Sequence, residues 1–369
     1  MRLDPIRHAV DADDLAAEIG RDAAKHDRDG SFPAEGFDAL RRHGLVGWPP
    51  LAPGEIGRLL RLLAAVGRGD LSVGRIYEGH VNALFLIRAY GTADQRDHLE
   101  AAAARGELFG VWNTDAPDRP LRFGDDGCLE GAKNFSSGVD GLAQAVVTVP
   151  SLEGRRMLVV PLDGRPVDRS WWHPMGMRAS GSHIVDFEDL PIRPEWLLGS
   201  PDDYVRPPWF FAGAIRFAAV HVGGMHAVFD TALQHLQETG RAGDPYQLHR
   251  LARMGIAVEE GYNWLDRTAL AWEAAAADPA AGDSLVATAN AARSAIEAHA
   301  LAVLEEAERS VGAAGMIAPH PLERLVRDLR TYLRQPNPDG ALASFGKAVA
   351  EGGWRPGRAG LPAKGGGGR

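Results

Sequence analysis

The sequence predicts a mainly α-helical protein with a central antiparallel β-domain, in the order N-terminal helical domain (1–107), middle β-domain (108–200) and C-terminal four-helix bundle (201–350). Three observations carry this expectation. Apolar residues recur with a helical period up to residue 107; at Leu108 the period shortens into brief runs of β-formers; from Trp209 the helical period returns in long stretches. Residues 351–369 contain a GGGG run and are expected to form a disordered tail.

Asp11 or Asp13 is placed to cap a first helix that carries Leu15 and Ile19 on one face. FPAEGFDALRRHG reads as a helix that starts at Pro33, turns Phe37 and Leu40 inward and stops at Gly44. Its last turn holds Arg41, Arg42 and His43, which suit the negative end of the helix dipole. Further helices are expected over 56–66, 76–89 and 93–105. In the middle region, strands are expected over 128–137, 143–149 and 157–160, punctuated by Gly138, Glu153-Gly154 and Asp163-Gly164. Val185 and Phe187 alternate with Asp186 and Glu188, the pattern of a half-buried strand. The long C-terminal helices are expected over 215–238, 247–277, 284–311, 322–333 and 340–349.

Composition narrows the function classes. A chain of 369 residues that is 45% hydrophobic can fill a sizeable core. Its net charge of -9, from 49 acidic and 40 basic side chains, disfavours a general role on nucleic acid, which needs a basic surface. The one cysteine, Cys128 in DDGCLEG, excludes an intramolecular disulfide and a thiolate metal cluster, and reads as a structural thiol. His221 and His226 are five apart and so lie off one helical face, and no metal site is expected. MRLDPIRHAVDADDL lacks the apolar core of a signal peptide, and no later run is long and apolar enough to span a bilayer, so the expected location is cytoplasmic without membrane association. Dinucleotide, P-loop, zinc-protease and serine-hydrolase motifs are absent.

The informative motifs are four. VWNTDAP places Trp112 and Thr114 at a strand end, and KNFSSG places Phe135 and Ser137 at another. Gly312, Ala313, Ala314 and Gly315 form a small-residue turn where backbone amides can approach a phosphate closely, followed by His320, Pro321 and a helix bearing Arg327 and Asp328. WHPMGMRASGSHIVDFEDLPI supplies a long signature between them. In this order and spacing they resemble the acyl-CoA dehydrogenase flavoprotein family, over about residues 11 to 350.

The resemblance implies FAD as cofactor, with Trp112 and Thr114 beside the flavin ring, Thr114 donating to a flavin oxygen, Phe135 against the ring and Ser137 near its N5 edge. It also implies that Arg241 and Gln247 reach the flavin of a neighbouring subunit, hence a homodimer or homotetramer, and that the Gly312–Gly315 turn approaches the pyrophosphate. The implied reaction is oxidation of a small molecule, an acyl thioester or similar activated carbonyl, at its α,β position, with an electron acceptor or a flavin reductase as partner.

The departures are specific. The family places a catalytic Glu, in Tyr-Glu-Gly-Thr, after the Arg-Asp helix; this chain has Arg334, Gln335, Pro336, Asn337, Pro338 and Asp339. Asp339 is either the catalytic base or the N-cap of the last helix. The thioester-contacting loop is replaced by Pro117, Asp118, Arg119 and Pro120, ETGRAGDPYQ lacks the family's Phe after Arg241, and no carboxylate stands at 214–216, the family's other position for the base. His320 is either structural or a proton donor for monooxygenase chemistry. A dehydrogenase, a flavin-dependent monooxygenase of the same fold and a non-catalytic flavin-binding homologue therefore all remain open. His80 reads as a packing histidine, Arg327 and Asp328 as ion-pair partners of neighbouring helices, and Trp171-Trp172 as a packed β-edge.

Overall fold

The structure, a computed structural model, describes residues 10–357. The expected disordered tail lies outside the described residues from position 358 onward. Six helices come first: α1 (Ala12–Gly20), α2 (Ala23–Asp29), α3 (Ala34–Arg42), α4 (Ile56–Gly69), α5 (Leu71–Tyr90) and α6 (Ala93–Ala104). Asp11, not Asp13, caps α1, its carboxylate accepting from the amides of Asp13 and Asp14 at 2.8 and 3.1 Å. Phe37 and Leu40 of α3 are fully buried, as their spacing requires. Helix α5 begins five residues earlier than the apolar pattern suggests, because Asp70 caps it by accepting from the Val73 amide at 2.8 Å.

Ten short strands follow: β1 (Phe109–Trp112), β2 (Arg122–Phe123), β3 (Cys128–Glu130), β4 (Ala132–Ser136), β5 (Gln144–Ser151), β6 (Gly154–Pro161), β7 (Val167–Asp168), β8 (His183–Asp186), β9 (Leu190–Pro191) and β10 (Leu197–Leu198). They form three sheets, ordered β1-β5-β6-β10, β2-β3-β9 and β4-β8-β7. Pairing is antiparallel except that β1 runs parallel to β5, a feature that period-2 patterning cannot reveal. The run expected as one strand over 128–137 is two strands, split at Gly131 and shared between two sheets.

The chain ends in α7 (Trp209–Glu238), α8 (Pro245–Ala277), α9 (Gly282–Val311), α10 (Pro321–Tyr332) and α11 (Pro338–Ala350). Helices α7, α8 and α9 pack on one another, and α7 also packs along α4 and α5, so that the N-terminal and C-terminal helices share one core. No helix of the described residues is long and apolar enough to cross a membrane.

Helix α5 is the hinge of this arrangement, with α7 on one side and β1 on the other. Its His80 is fully buried; Nε2 donates to the Val46 carbonyl at 2.9 Å while Nδ1 accepts from the Phe109 amide at 3.1 Å. Both ring nitrogens are thus used in one neutral tautomer, which fixes the entry to β1. Burial lowers the pKa of His80 to about 4, against the pull of the Val46 carbonyl. His221 of α7, bonded to the Tyr332 carbonyl at 3.2 Å, is likewise lowered by burial, to about 3.

These two histidines predict acid lability. Below pH 6.5 the unfolded chain takes up protons that the folded imidazoles refuse, so their stabilising contribution is complete above that pH and is lost as pH falls towards 4 and then 3. The loss reaches about 3 kcal/mol for His80 and about 5 kcal/mol for His221, at 1.36 kcal/mol per pKa unit. Urea denaturation at stepped pH should show it, and His221→Gln should flatten the slope; an unchanged slope in that variant would refute the assignment.

Candidate functional site

The stretches VWNTDAP and KNFSSG come together as an irregular antiparallel pair at the ends of β1 and β4. The Asn134 amide donates to the Thr114 carbonyl and the Ala116 amide to the Ala132 carbonyl, each at 2.9 Å. Beneath them Lys133, with 0% of its side chain exposed, donates to Asp115 Oδ1 at 2.5 Å and to the Asn113 carbonyl at 3.3 Å. Burial lowers the Lys133 pKa, and the Asp115 carboxylate opposes it. An ammonium in this position is a tie between two chain segments that share no sequence neighbourhood.

Phe135 has a left-handed backbone, φ 51°, which is uncommon for a residue with a side chain and marks a constrained site. The turn leaves its ring 47% exposed, edge-on to Trp171 with ring centroids 4.9 Å apart. Trp171 and Trp172 stack on each other at 5.7 Å, but they sit in the loop after β7 and not on a β-edge. Ser137 is buried, its hydroxyl 2.7 Å from that of Ser182, which is 2.9 Å from that of Ser180. Trp112 donates its indole N–H to the Ser137 carbonyl at 3.4 Å. Thr114 is exposed. The structure therefore brings Trp112, Thr114, Phe135 and Ser137 to one place.

The remaining candidates gather elsewhere, around the far ends of the long helices. Gly312, Ala313, Ala314 and Gly315 form a 3-10 turn, Gly312–Met316, directly after α9. Gly312 has φ 78° and a Cβ there would meet nothing within 4 Å, but its N–H is already engaged, donating to the Glu308 carbonyl at the end of α9. His320 caps α10, its Nδ1 accepting from the Leu322 amide at 3.2 Å, and its Nε2 lies 3.2 Å from His235 Nδ1. Arg241 in turn places its guanidinium 2.9 Å from His235 Nε2. Gln247, in the first turn of α8, is buried and its side-chain carbonyl has no hydrogen-bond partner. Among the described residues no hydrogen bond or ring contact joins this second group to Thr114, Phe135 or Ser137 within one chain.

Asp339 belongs to neither group. It stands exposed in the first turn of α11, and the residue that caps that helix is Asn337, whose side chain accepts from the Gly340 amide at 3.2 Å. Neither the capping role nor contact with the Thr114 group falls to Asp339.

Arg327 and Asp328 pair with neighbouring elements and not with each other. Arg327 reaches Asp27 of α2 at 2.7 Å and Glu323, while Asp328 accepts from the Met177 amide at 2.6 Å and from Arg324 at 3.3 Å. Burial raises the Asp328 pKa to about 7, with Arg324 opposing. Through Met177 this helix holds the loop that carries Trp171 and Trp172 and leads to Ser180, whose carbonyl accepts from the Gly138 amide at 2.8 Å. The motif that is most conspicuous in sequence thus positions the site from outside.

Sequence reasoning passed over Arg75 and Glu78 of α5, Tyr204, and Arg216 of α7, all of which the fold places together in the interior. A signal was present, since Arg75 and Glu78 stand at a spacing of three in the first half of a mainly apolar helix.

Residues 210–333 match the family model described as acyl-CoA dehydrogenase, C-terminal domain. A dibenzothiophene monooxygenase of Rhodococcus erythropolis is 25% identical over 307 residues, covering 69% of this chain and 72% of its own. KijD3, solved in complex with FMN and dTDP-3-amino-2,3,6-trideoxy-4-keto-3-methyl-D-glucose, superposes with a TM-score of 0.76 at 26% identity, covering 95% of this chain and 96% of its own. Butyryl-CoA dehydrogenase from Megasphaera elsdenii superposes with a TM-score of 0.78 at 18% identity, covering 92% of this chain and 96% of its own.

Proposed function

We propose that this chain, which has the acyl-CoA dehydrogenase fold, is a flavin-dependent monooxygenase acting on a small molecule. The observation that carries the reading is the place of Asp339. Abstraction of a proton next to a thioester needs a carboxylate within hydrogen-bond reach of that carbon, and Asp339 is exposed in the first turn of α11, a helix that packs on α9. The monooxygenase from Rhodococcus erythropolis supports the same reading.

The residues present suit a flavin. Thr114 offers an exposed hydroxyl, Phe135 an outward-turned ring, Trp112 a buried indole beneath, and Ser137 a hydroxyl already held by Ser182. Gln247 offers an unpartnered carbonyl in the second group, so a site completed by the second group of a neighbouring subunit is consistent with the separation of the two groups in one chain. When bound, a reduced flavin supplies two electrons to dioxygen, of which one atom enters the substrate and the other leaves as water. The protein's own share is to orient the ring between Thr114 and Phe135, to exclude water with the Trp171-Trp172 loop, and to receive reduced flavin from a reductase. FAD is the form that the sequence resemblance implies, and FMN is the form held by KijD3; reconstitution with each, followed by desalting and absorbance, measures which this chain retains.

The test mixes the protein with reduced flavin, dioxygen labelled with oxygen-18, and a panel of heteroaromatic sulfides and amines. One labelled oxygen atom in a product is the expected result, and Asp339→Asn should leave the rate unchanged. Anaerobic bleaching of bound flavin by butyryl-CoA, abolished in Asp339→Asn, would replace this reading with a dehydrogenase. That second reading has the matching family model in its favour.

A further inference from the structure

Arg216, like Lys133, is 0% exposed, but unlike Lys133 it has no hydrogen-bond partner on any of its three side-chain nitrogens. Its guanidinium lies 5.6 Å from the ring centroid of Trp272 and 6.0 Å from that of Phe85. The nearest carboxylate oxygen is Glu78 Oε2, 3.8 Å from Nε, and the other oxygen of Glu78 is held by Arg75, one turn away on the same helix. Two guanidinium groups thus share one carboxylate. Contact with aromatic faces offsets only part of what it costs to bury a cation that lacks a close counter-charge. The balance is unmet. Burial lowers the Arg216 pKa to about 10, with Glu78 opposing, so the group is still charged at neutral pH.

The cluster is linked to the Thr114–Ser137 group through Arg155. The Tyr204 hydroxyl lies in the field of Arg216, Arg155, Glu78 and Arg75, and Arg155 donates to the side chain of Asn113, the residue before Thr114. On α5, Ile76 packs so closely under Gly138 that a Cβ on that glycine would lie 2.7 Å from Ile76 Cγ2.

We propose that Arg216 is the binding residue for an anionic two-oxygen head group of the substrate, a carboxylate or a sulfinate, with Arg75 and Tyr204 flanking it. A planar fork of free N–H donors matches two oxygens side by side, and the anion supplies the charge that Glu78 alone does not. This rests on the proposed function, whose substrate class it narrows.

The experiment titrates the full chain, with and without bound flavin, with sodium propionate, sodium methanesulfinate and neutral propionamide at matched ionic strength, reading heat and thermal unfolding. At least one anion is expected to bind and raise the melting temperature, propionamide is not, and Arg216→Gln should weaken the anion at least tenfold while flavin retention stays as in the parent. If Arg216→Gln fails to fold by circular dichroism, Arg216→Lys is read in its place: it keeps the charge but not the fork, and weakened anion binding is then expected. The proposal is overturned if neither anion binds better than propionamide, or if the folded variant binds the anion as the parent does. Failure of the parent to place labelled oxygen in any product when supplied with reduced flavin and dioxygen would overturn the monooxygenase reading alone, because the anion titration is also read without flavin.

Discussion

Lys133→Met is expected to lower stability by about 3 kcal/mol and to weaken flavin retention at least tenfold, as measured by urea denaturation and by quenching of flavin fluorescence. The stability figure is the lower end of what breaking a buried ion pair costs, chosen because Asp115 is 30% exposed and keeps some water when its partner goes. The loss of binding follows from geometry. Lys133 holds Asp115 and the Asn113 carbonyl from below, on either side of Thr114, while its own chain continues into Phe135. Methionine fills the volume but frees the two strand ends to separate. A variant that is less stable yet retains flavin like the parent would show that the tie serves the fold only.

Gly176→Ala should be the most damaging single methyl in the site's support. A Cβ at this position would lie 2.1 Å from the Arg327 carbonyl oxygen and 2.5 Å from the Asp328 amide, both backbone atoms of α10 that cannot rotate away. Overpacking of this kind costs about 3 kcal/mol or more, and here it would part the Trp171-Trp172 loop from α10 and break the 2.6 Å bond from the Met177 amide to Asp328. Gly79→Ala is the control. That glycine lies within α5 with nothing within 4 Å of an added Cβ, so the change should stabilise by about 0.5 kcal/mol through the lost freedom of the unfolded chain. Thermal unfolding of the two variants separates them, and equal behaviour would refute the packing argument.

The helices were legible because a buried face repeats every three to four residues and leaves its period in the sequence. Phe37 and Leu40 turned inward as expected, the runs that became α8 and α9 were placed within two residues, and α7 begins six residues earlier than expected. Their starts shifted where a polar cap decided them, as Asp70 did for α5 and Asn337 for α11. The β-region was legible as a region but not in its pairing, because a strand of two to five residues carries too few side chains to specify a partner, and β1 lies beside β5 only once α5 has buried Phe109.

By itself the sequence determined the order helices, strands, helices, the meeting of Trp112 and Thr114 with Phe135 and Ser137 as a motif set, and the missing glutamate after α10. Tertiary structure alone decided that Lys133 ties those motifs together, that His320 caps a helix beside His235, that Asp339 faces solvent, and that Arg75, Glu78 and Arg216 meet in the interior. The physical reason is one of range. Period, capping and turn chemistry act between residues a few positions apart and are written locally, whereas the cost of burying a charge depends on what other segments surround it, and Arg216 is separated from Glu78 by the whole β-domain.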